Sequence, residues 1–409
     1  RRGHRLIQGA RRIEKRAMTG TRRVEVATIV FLLITLTWTL TAAHPVGAVW
    51  EKHLRLQVTY TYINEGDEPI PLVTSEYNFK AFEKFVSDNW QKVKIVEKSH
   101  GIVRQVKDMD GNVYVILNLP DEIPPNGEVT VQITYDILTR TRTLPNISEA
   151  DAGDLSDIPR KLVVKYCMAV GPWLVNDTEI VSLTKDIVGD ETNVLRIVEK
   201  LCAWIHDNIE YPEEGHERPL YPNETLELRE GDCDDQANLL ITMCRIMGIP
   251  AYLQIGCVFV EGYGASYTMW DGHLYIHEEN MGWHGWAVVY IPPWGWLPVD
   301  LTYTFLFPEE TELWCILGAS VLSPYVVECS NVVYSDYIKA GIEQRETIEK
   351  SNLYIKVYES MEKYVETPQP PTFSLQPLLR MTLLGIAVAA AAAMFVTLRR
   401  MQVSTTVGY

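Results

Sequence analysis

No Cys-x-x-Cys pair occurs in the 409 residues, and seven scattered cysteines are too few for a small disulfide scaffold, so neither a zinc-thiolate ribbon nor a redox dithiol is encoded. Glycine and proline, 25 and 22 residues, fall short of collagen or low-complexity composition, while 47% apolar content is enough to bury the cores of two domains. Basic residues are scarce in the middle of the chain. Nine Arg or Lys precede residue 26 beside two Glu, and three Arg and no acid follow Leu375. The residues between hold 51 acids against 25 bases, a net −26 within an overall −16. A body this acidic repels phosphate backbones, so nucleic acid is not an expected partner.

Charge is absent from two long stretches. Residues 26–43 carry none, and the run continues uncharged apart from His44 as far as Trp50; residues 381–398 carry none either. Each is long enough to cross a bilayer as a helix, in which every backbone amide is satisfied internally. The basic residues before the first run, and Arg399 with Arg400 after the second, place both termini in the cytoplasm and residues 51 to about 375 outside. Thr41-Ala42-Ala43 and Val46-Gly47-Ala48 also offer the small residues of a signal-peptidase site, so cleavage of the first run is the alternative to its retention. Thr367-Pro368-Gln369-Pro370-Pro371 forms a stiff spacer before the second run. Sequons at Asn146, Asn176 and Asn223 are compatible with an exported surface. Outside the cell Cys315 and Cys329 could bridge, whereas Cys202, Cys244 and Cys257 sit among apolar residues as core thiols.

From His53 to Leu144 apolar residues alternate, as in Leu54-x-Leu56-x-Val58-x-Tyr60-x-Tyr62, between turn clusters. This is the pattern of an antiparallel sandwich. Asp108, Asp110 and Asn112 lack the glycine and the bidentate Glu of a calcium loop and fit a hairpin turn. The period then changes. Val194, Ile197, Val198, Leu201 and Ile205 recur at three and four, predicting a helix that ends near Tyr211-Pro212. Ala237, Leu240, Ile241, Cys244 and Met247 form the stripe of a second helix, which starts at Asp232-Cys233 and is stopped by Gly248 and Pro250. Strand-like runs follow at 251–260, 286–291 and 296–301, and residues 336–366 are expected to be helical.

Cys233 lies off that stripe, at the first turn of its helix. There the unpaired amides and the positive end of the helix dipole favour a thiolate, and the neighbouring Asp232, Asp234 and Asp235 oppose one. An imidazolium would tip the balance. His284 begins a strand-like run, and Asp300 ends the next one across the turn Pro292-Pro293-Trp294-Gly295. If the two runs pair, the carboxylate can orient the ring and favour its protonated form.

Gly231-Asp232-Cys233-Asp234-Asp235 with its Ala-x-Leu-Leu helix, Gly248-Ile249-Pro250-Ala251, His284-x-Trp286 and Trp296-x-Pro298-Val299-Asp300-Leu301-Thr302 together resemble the transglutaminase-like superfamily, in the right order, over roughly residues 180–305. The resemblance implies an α+β fold with a papain-like transglutaminase core, here preceded by an antiparallel β-sandwich and flanked by N- and C-terminal transmembrane helices. It implies Cys233 as nucleophile, His284 as general base and Asp300 as orienting carboxylate. Tyr211 matches a position near the family's cleft, and Trp283 and Trp286 flank the histidine. Residues 261–282 are longer than the family's minimal pattern and rich in aromatics, and are expected to form a lid or wall. His273 and His277 alternate as in a strand, so no metal and no cofactor is expected.

The expected organisation is a basic cytoplasmic N-terminus (1–25), a transmembrane helix or signal peptide (26–48), a β-sandwich (51–145), a transglutaminase-like domain (160–335), a helical stalk with a Pro-rich linker (336–377), a transmembrane helix (378–398) and a cytoplasmic tail (399–409). The expected activity is that of a membrane-tethered, outward-facing cysteine enzyme of an archaeal or bacterial envelope, acting on peptide or glutamine amides through a thioester, with water preferred to an amine as acceptor. Its partners would be a peptide or protein substrate, the lipid membrane and cell-envelope proteins. An inactive surface-binding module and a structural envelope protein are the alternatives.

Overall fold

The computed structural model describes residues 51–142, 145–212, 216, 218–302, 313–321 and 325–364. Both uncharged runs and the Pro-rich linker lie outside these residues. No described helix is long and apolar enough to cross a membrane.

Alternating side chains build β1 (Glu51–Asn64), β2 (Ile70–Pro71), β3 (Ala81–Glu83), β4 (Gln91–Lys98), β5 (Ile102–Lys107), β6 (Val113–Leu117), β7 (Glu122–Ile123) and β8 (Glu128–Arg140). Helical periodicity then gives α1 (Arg160–Tyr166), α2 (Thr178–Val188), α3 (Val194–Asn208), α4 (Pro222–Leu228) and α5 (Cys233–Ile246). β9 (Ala251–Met269), β10 (Leu274–Ile291) and β11 (Gly295–Val299) follow, then α6 (Trp314–Val321), β12 (Val326–Val332), α7 (Tyr337–Glu349) and β13 (Leu353–Lys363).

One eight-stranded sheet runs β12-β9-β10-β13-β1-β8-β4, with β11 also paired to β10; β3-β6-β5 and β2-β7 are small separate sheets. The boundary expected near residue 145 therefore does not divide the strands into independent bodies. β1, β8 and β4 continue the sheet of the later domain, joined to it by β13. That junction corrects the helix expected over 336–366: among the described residues of that span Tyr337–Glu349 is helix, and Leu353–Lys363 is a strand. Leu353, Ile355, Val357 and Met361 are buried at period two, which suits a strand and not a helix.

Two cores lie along the sheet. Ala251 and Leu253 on β9, with Ala287 and Val289 on β10, pack with α3 and with Leu239, Leu240 and Ile241 of α5. Further along the strands, Cys257, Phe259 and Met281 pack with Leu56, Ile355, Phe82 and Val115. Each of the Leu, Ile, Val, Phe and Met side chains among them, fully buried, contributes about 1.5–3 kcal/mol. The segment expected as a lid is the distal half of the long β9–β10 hairpin. Its histidines are structural: His273 stacks on Tyr354 at 4.4 Å and its Nδ1 meets the Leu353 carbonyl at 2.8 Å, while the His277 Nδ1 lies 2.9 Å from Ser266 Oγ.

The turn that imitates a calcium loop ties the first strands to β12. Asp110 Oδ1 accepts the backbone N–H of Val333 at 3.0 Å and of Tyr334 at 2.6 Å, and Asn112 Nδ2 donates to the Asn331 carbonyl at 2.8 Å. All seven cysteines are free. The Cys315–Cys329 bridge allowed by the sequence is ruled out because Cys315 lies in the helical core and Cys329 in the other. Cys315 instead touches Cys202, and Cys329 touches Cys257, thiol to thiol.

Candidate active site

The chain enters α5 through a short bridge in which Glu210 and Glu230 pair, with Gly231 N–H donating to the Glu210 carbonyl at 3.0 Å. Gly231 is required by crowding, because a Cβ there would stand 2.8 Å from Asp235 Cβ and 2.9 Å from Thr225 Cγ2. Asp235 folds back to cap the helix, accepting from Asp232 N at 3.1 Å and from Leu220 N at 2.6 Å. Asp234 accepts from Tyr337 Oη at 2.6 Å, and that hydroxyl accepts from Asn238 Nδ2 at 2.7 Å. Cys233 is thereby fixed at the first turn with its thiol toward His284, to which it is hydrogen-bonded.

A break in strand pairing admits the thiol to that histidine. On one side β10 is continuous with β9; on the other it pairs with β13 over 274–279 and with β11 over 287–291, so residues 280–286 form an open edge. A bulge between Glu279 and Met281 re-aims the strand just before this edge. His284 lies within it. Its Nε2 donates to Asp300 Oδ2 at 2.6 Å, which leaves Nδ1 as the nitrogen available to Cys233. The other Asp300 oxygen accepts from Thr302 N at 3.0 Å and Thr302 Oγ1 at 2.9 Å, so the carboxylate cannot swing away. Trp286 stacks on the ring at 5.7 Å and is itself anchored by Nε1 donating to Gln254 Oε1 at 3.1 Å.

The charges divide unequally. Burial disfavours the imidazolium, but the Asp300 carboxylate, by charge and hydrogen bond, together with Cys233, holds His284 well above its usual 6.5. Cys233 does not follow the sequence expectation of a lowered pKa. Burial pushes its thiol up, His284 pulls it down by hydrogen bond and charge, and Asp234 and Asp232 push it up again, for a net rise. Burial first, and then the flanking carboxylates, thus keep the helix terminus from generating a thiolate unaided. Asp234 and Asp235 are themselves pushed up to about 7, by burial first and then by neighbouring carboxylates.

A sequence model of the transglutaminase-like superfamily matches residues 181–301, a span that holds Cys233, His284 and Asp300 in this order. Residues 181–301 belong to the transglutaminase-like superfamily. The kyphoscoliosis peptidases of Mus musculus and Homo sapiens are 28% and 27% identical to this chain over 142 residues, 31% of its length. The match spans only 20% of each of those curated relatives. Among solved structures, a Cytophaga hutchinsonii protein provisionally described as a cysteine protease aligns over 80% of this chain and 96% of its own at 15% identity, with a TM-score of 0.45. The periplasmic domain of TgpA from Pseudomonas aeruginosa aligns over 62% and 88% at 13% identity, with a TM-score of 0.29.

Within the transglutaminase-like core the cleft residues separate. Tyr211, 58% exposed, lines a cavity of about 330 Å³ with Gln236, Leu301 and Thr302, and burial together with the Cys233 sulfur raises its hydroxyl pKa. Trp286 backs the histidine. Trp283 turns away, and its Nε1 donates to Glu359 Oε2 at 2.6 Å. Sequence reasoning missed Glu359, Gln254 and Tyr337, which come from distant strands or helices; Thr302, two residues after Asp300 in a quoted motif, was within reach of it. Asp232, Cys233 and Asp234 could together offer three metal ligand atoms, but Tyr337 already occupies one of those carboxylates. Gly285 supplies the clearance between strand and helix: a Cβ there would lie 2.7 Å from Asp234 Cβ and 3.3 Å from Asp234 Cα. Gly285→Ala should therefore push β10 off the α5 terminus. Expected outcomes are a loss of about 1–3 kcal/mol of stability by thermal denaturation and, in the reaction proposed below, a fall of roughly 10²-fold in kcat, the cost of an ångström of misplacement.

Proposed function

We propose that this chain is a cysteine acyl-transfer enzyme that cleaves peptide or glutamine amides, with Cys233 as nucleophile, His284 as proton carrier and Asp300 as its orienting carboxylate. The observation that supports this best is the single hydrogen-bonded line from the Cys233 thiol through the His284 ring to Asp300. His284 takes the thiol proton as sulfur adds to the substrate carbonyl carbon. The C–N bond then breaks, and the leaving amine carries that proton away. Backbone N–H groups at the first turn of α5 face the developing oxyanion. Water, deprotonated by His284, attacks the thioester, the C–S bond breaks, and the carboxylic acid leaves. Water is the preferred acceptor because it needs no second binding site.

Incubating the chain with a casein-like protein and a labelled amine separates the outcomes. Fragments support hydrolysis, incorporated amine supports cross-linking, and neither product, with an active-site thiol probe labelling wild type and Cys233→Ala equally, refutes the nucleophile. The raised thiol pKa specifically favours the second reading, a binding module with a relic site, and in that case Cys233→Ala leaves partner binding unchanged.

The two uncharged runs and their basic flanks support a membrane tether with the described domains facing outward. The paired thiols make this testable. In an oxidising compartment Cys202 with Cys315, and Cys257 with Cys329, would each give up two protons and two electrons to a disulfide-transferring oxidant. Mass spectrometry of the alkylated, unreduced chain isolated from its native membrane should then find three free cysteines. Finding all seven free would contradict the outward placement.

A further inference from the structure

Between β1, β13 and β10 on one side and β3 with β6 on the other lies a cavity of about 520 Å³. Ten of its 21 lining residues are aromatic and three are glutamates, and no Lys, Arg or His is among them. Glu359, only 3% exposed, and Glu83 project into it from opposite walls; Glu278, 6% exposed, lies beside Glu359 in register. A buried carboxylate normally has a basic partner. No ion pair among the described residues supplies one to any of these three. The partners they do have are neutral donors. Trp283 gives Glu359 its indole N–H and Glu278 its backbone N–H, and Ser330 gives Glu83 its hydroxyl.

What this enclosure lacks is a positive charge. Burial, and then the neighbouring carboxylates, push Glu359 up to about 7. Burial, and then Asp108, do the same to Glu83, against the Ser330 hydrogen bond. A cation would relieve both effects. The rings of Tyr60, Phe82, Tyr135, Trp270 and Trp283 offer faces that attract a weakly hydrated cation and cover its apolar body. A neutral sugar could bond the tyrosine hydroxyls and the amides of Asn78 and Gln344, but it would leave the buried Glu83 and Glu359 without a compensating charge.

We propose that this cavity is a binding site for an alkylammonium ligand, with Glu83 and Glu359 as counter-ions and Trp283 and Trp270 as part of the aromatic cage. The assignment does not rest on the acyl-transfer reading. Glu76 and Trp283, both exposed, mark the open margin of the site.

Choline is a suitable probe, because its quaternary nitrogen cannot act as an acyl acceptor and, with no acyl donor in the titration, its hydroxyl has nothing to react with. 3,3-Dimethylbutan-1-ol has the same shape without the charge. Titrating both into the full-length chain while following tryptophan fluorescence should give saturable binding of choline and at least ~10-fold weaker binding of the alcohol, the scale of a desolvated cation–π contact. The double variant Glu83→Gln with Glu359→Gln should weaken choline by a similar factor, since glutamine keeps the Trp283 hydrogen bond and removes only charge. Equal affinity for the two probes, no saturable choline signal, or unchanged affinity in the double variant would overturn the proposal. If the double variant does not fold, the single Glu83→Gln change and the wild-type probe comparison decide it.

Discussion

Cys233→Ala should lower amide turnover by about 10⁴-fold or more while leaving the fold intact. Its sulfur lies off the apolar stripe of α5, and that stripe, built on Leu240, Ile241 and Cys244, anchors the helix in the core. Removing Sγ takes away the nucleophile and the proton that His284 accepts, but no cap, because Asp235 holds the helix terminus through its own contacts to Asp232 and Leu220. Circular dichroism and thermal denaturation should therefore be nearly unchanged while product formation disappears. A thiol that is catalytic only as a pair with His284 makes a second demand. Labelling by a neutral electrophile should collapse in a folded His284→Ala variant too, since burial and the flanking aspartates then act on the sulfur unopposed. Unchanged turnover in Cys233→Ala would end the enzymatic reading.

Asp300→Asn should cost roughly 10⁴-fold in kcat with little loss of substrate binding. Asparagine can still accept from Thr302 through its carbonyl oxygen, so the loop geometry is retained. It cannot hold a proton on Nε2 by charge, and burial then pulls the ring's pKa down. Two pH signatures follow. In wild type the raised folded-state pKa of His284 adds stability that is fully present below about 6.5, its ordinary value, and is lost as pH rises through the higher folded value. The difference in melting temperature between wild type and Asp300→Asn should accordingly be largest in mild acid and shrink toward alkaline pH. The limb of the rate profile set by His284 should move to lower pH in the variant. A constant stability difference across that range would show that Asp300 does not act through the imidazole.

These expectations depend on features of unequal legibility. The start of α5 at Cys233 is local: Gly231, the acidic cap and the stripe of Ala237, Leu240 and Ile241 lie within fifteen residues, and helix capping is decided over that distance. The pairing of β10 with β11 was legible for the same reason, through a short turn that brings His284 and Asp300 together. Distance in the chain defeated the rest. Nothing within the local pattern of Leu353–Lys363 says that it enters the sheet between β10 and β1, parallel to one and antiparallel to the other. Its period-two pattern is nevertheless present in the sequence and speaks for a strand against the stalk helix expected there. The sandwich boundary failed likewise, because a strand's neighbours are chosen by partners nearly 300 residues away.

The sign of the Cys233 shift shows the same division. From the sequence, a cysteine at a helix terminus has a lowered pKa to the extent that helix amides face it. Only the folded surroundings reveal how completely water is excluded and how close Asp232 and Asp234 lie.

By itself, the sequence determined the helix that starts at Cys233, the chain order of Cys233, His284 and Asp300, the superfamily motifs that hold them, and an acidic body between two uncharged runs, all consequences of side-chain type and short-range spacing. The tertiary structure alone decided the gap in strand pairing in which His284 lies, the single sheet shared by both halves of the chain, and the acid-lined aromatic cavity behind Trp283. Each of these is made by surfaces that meet only when strands remote in sequence pair, and desolvation and charge proximity have no value until they do.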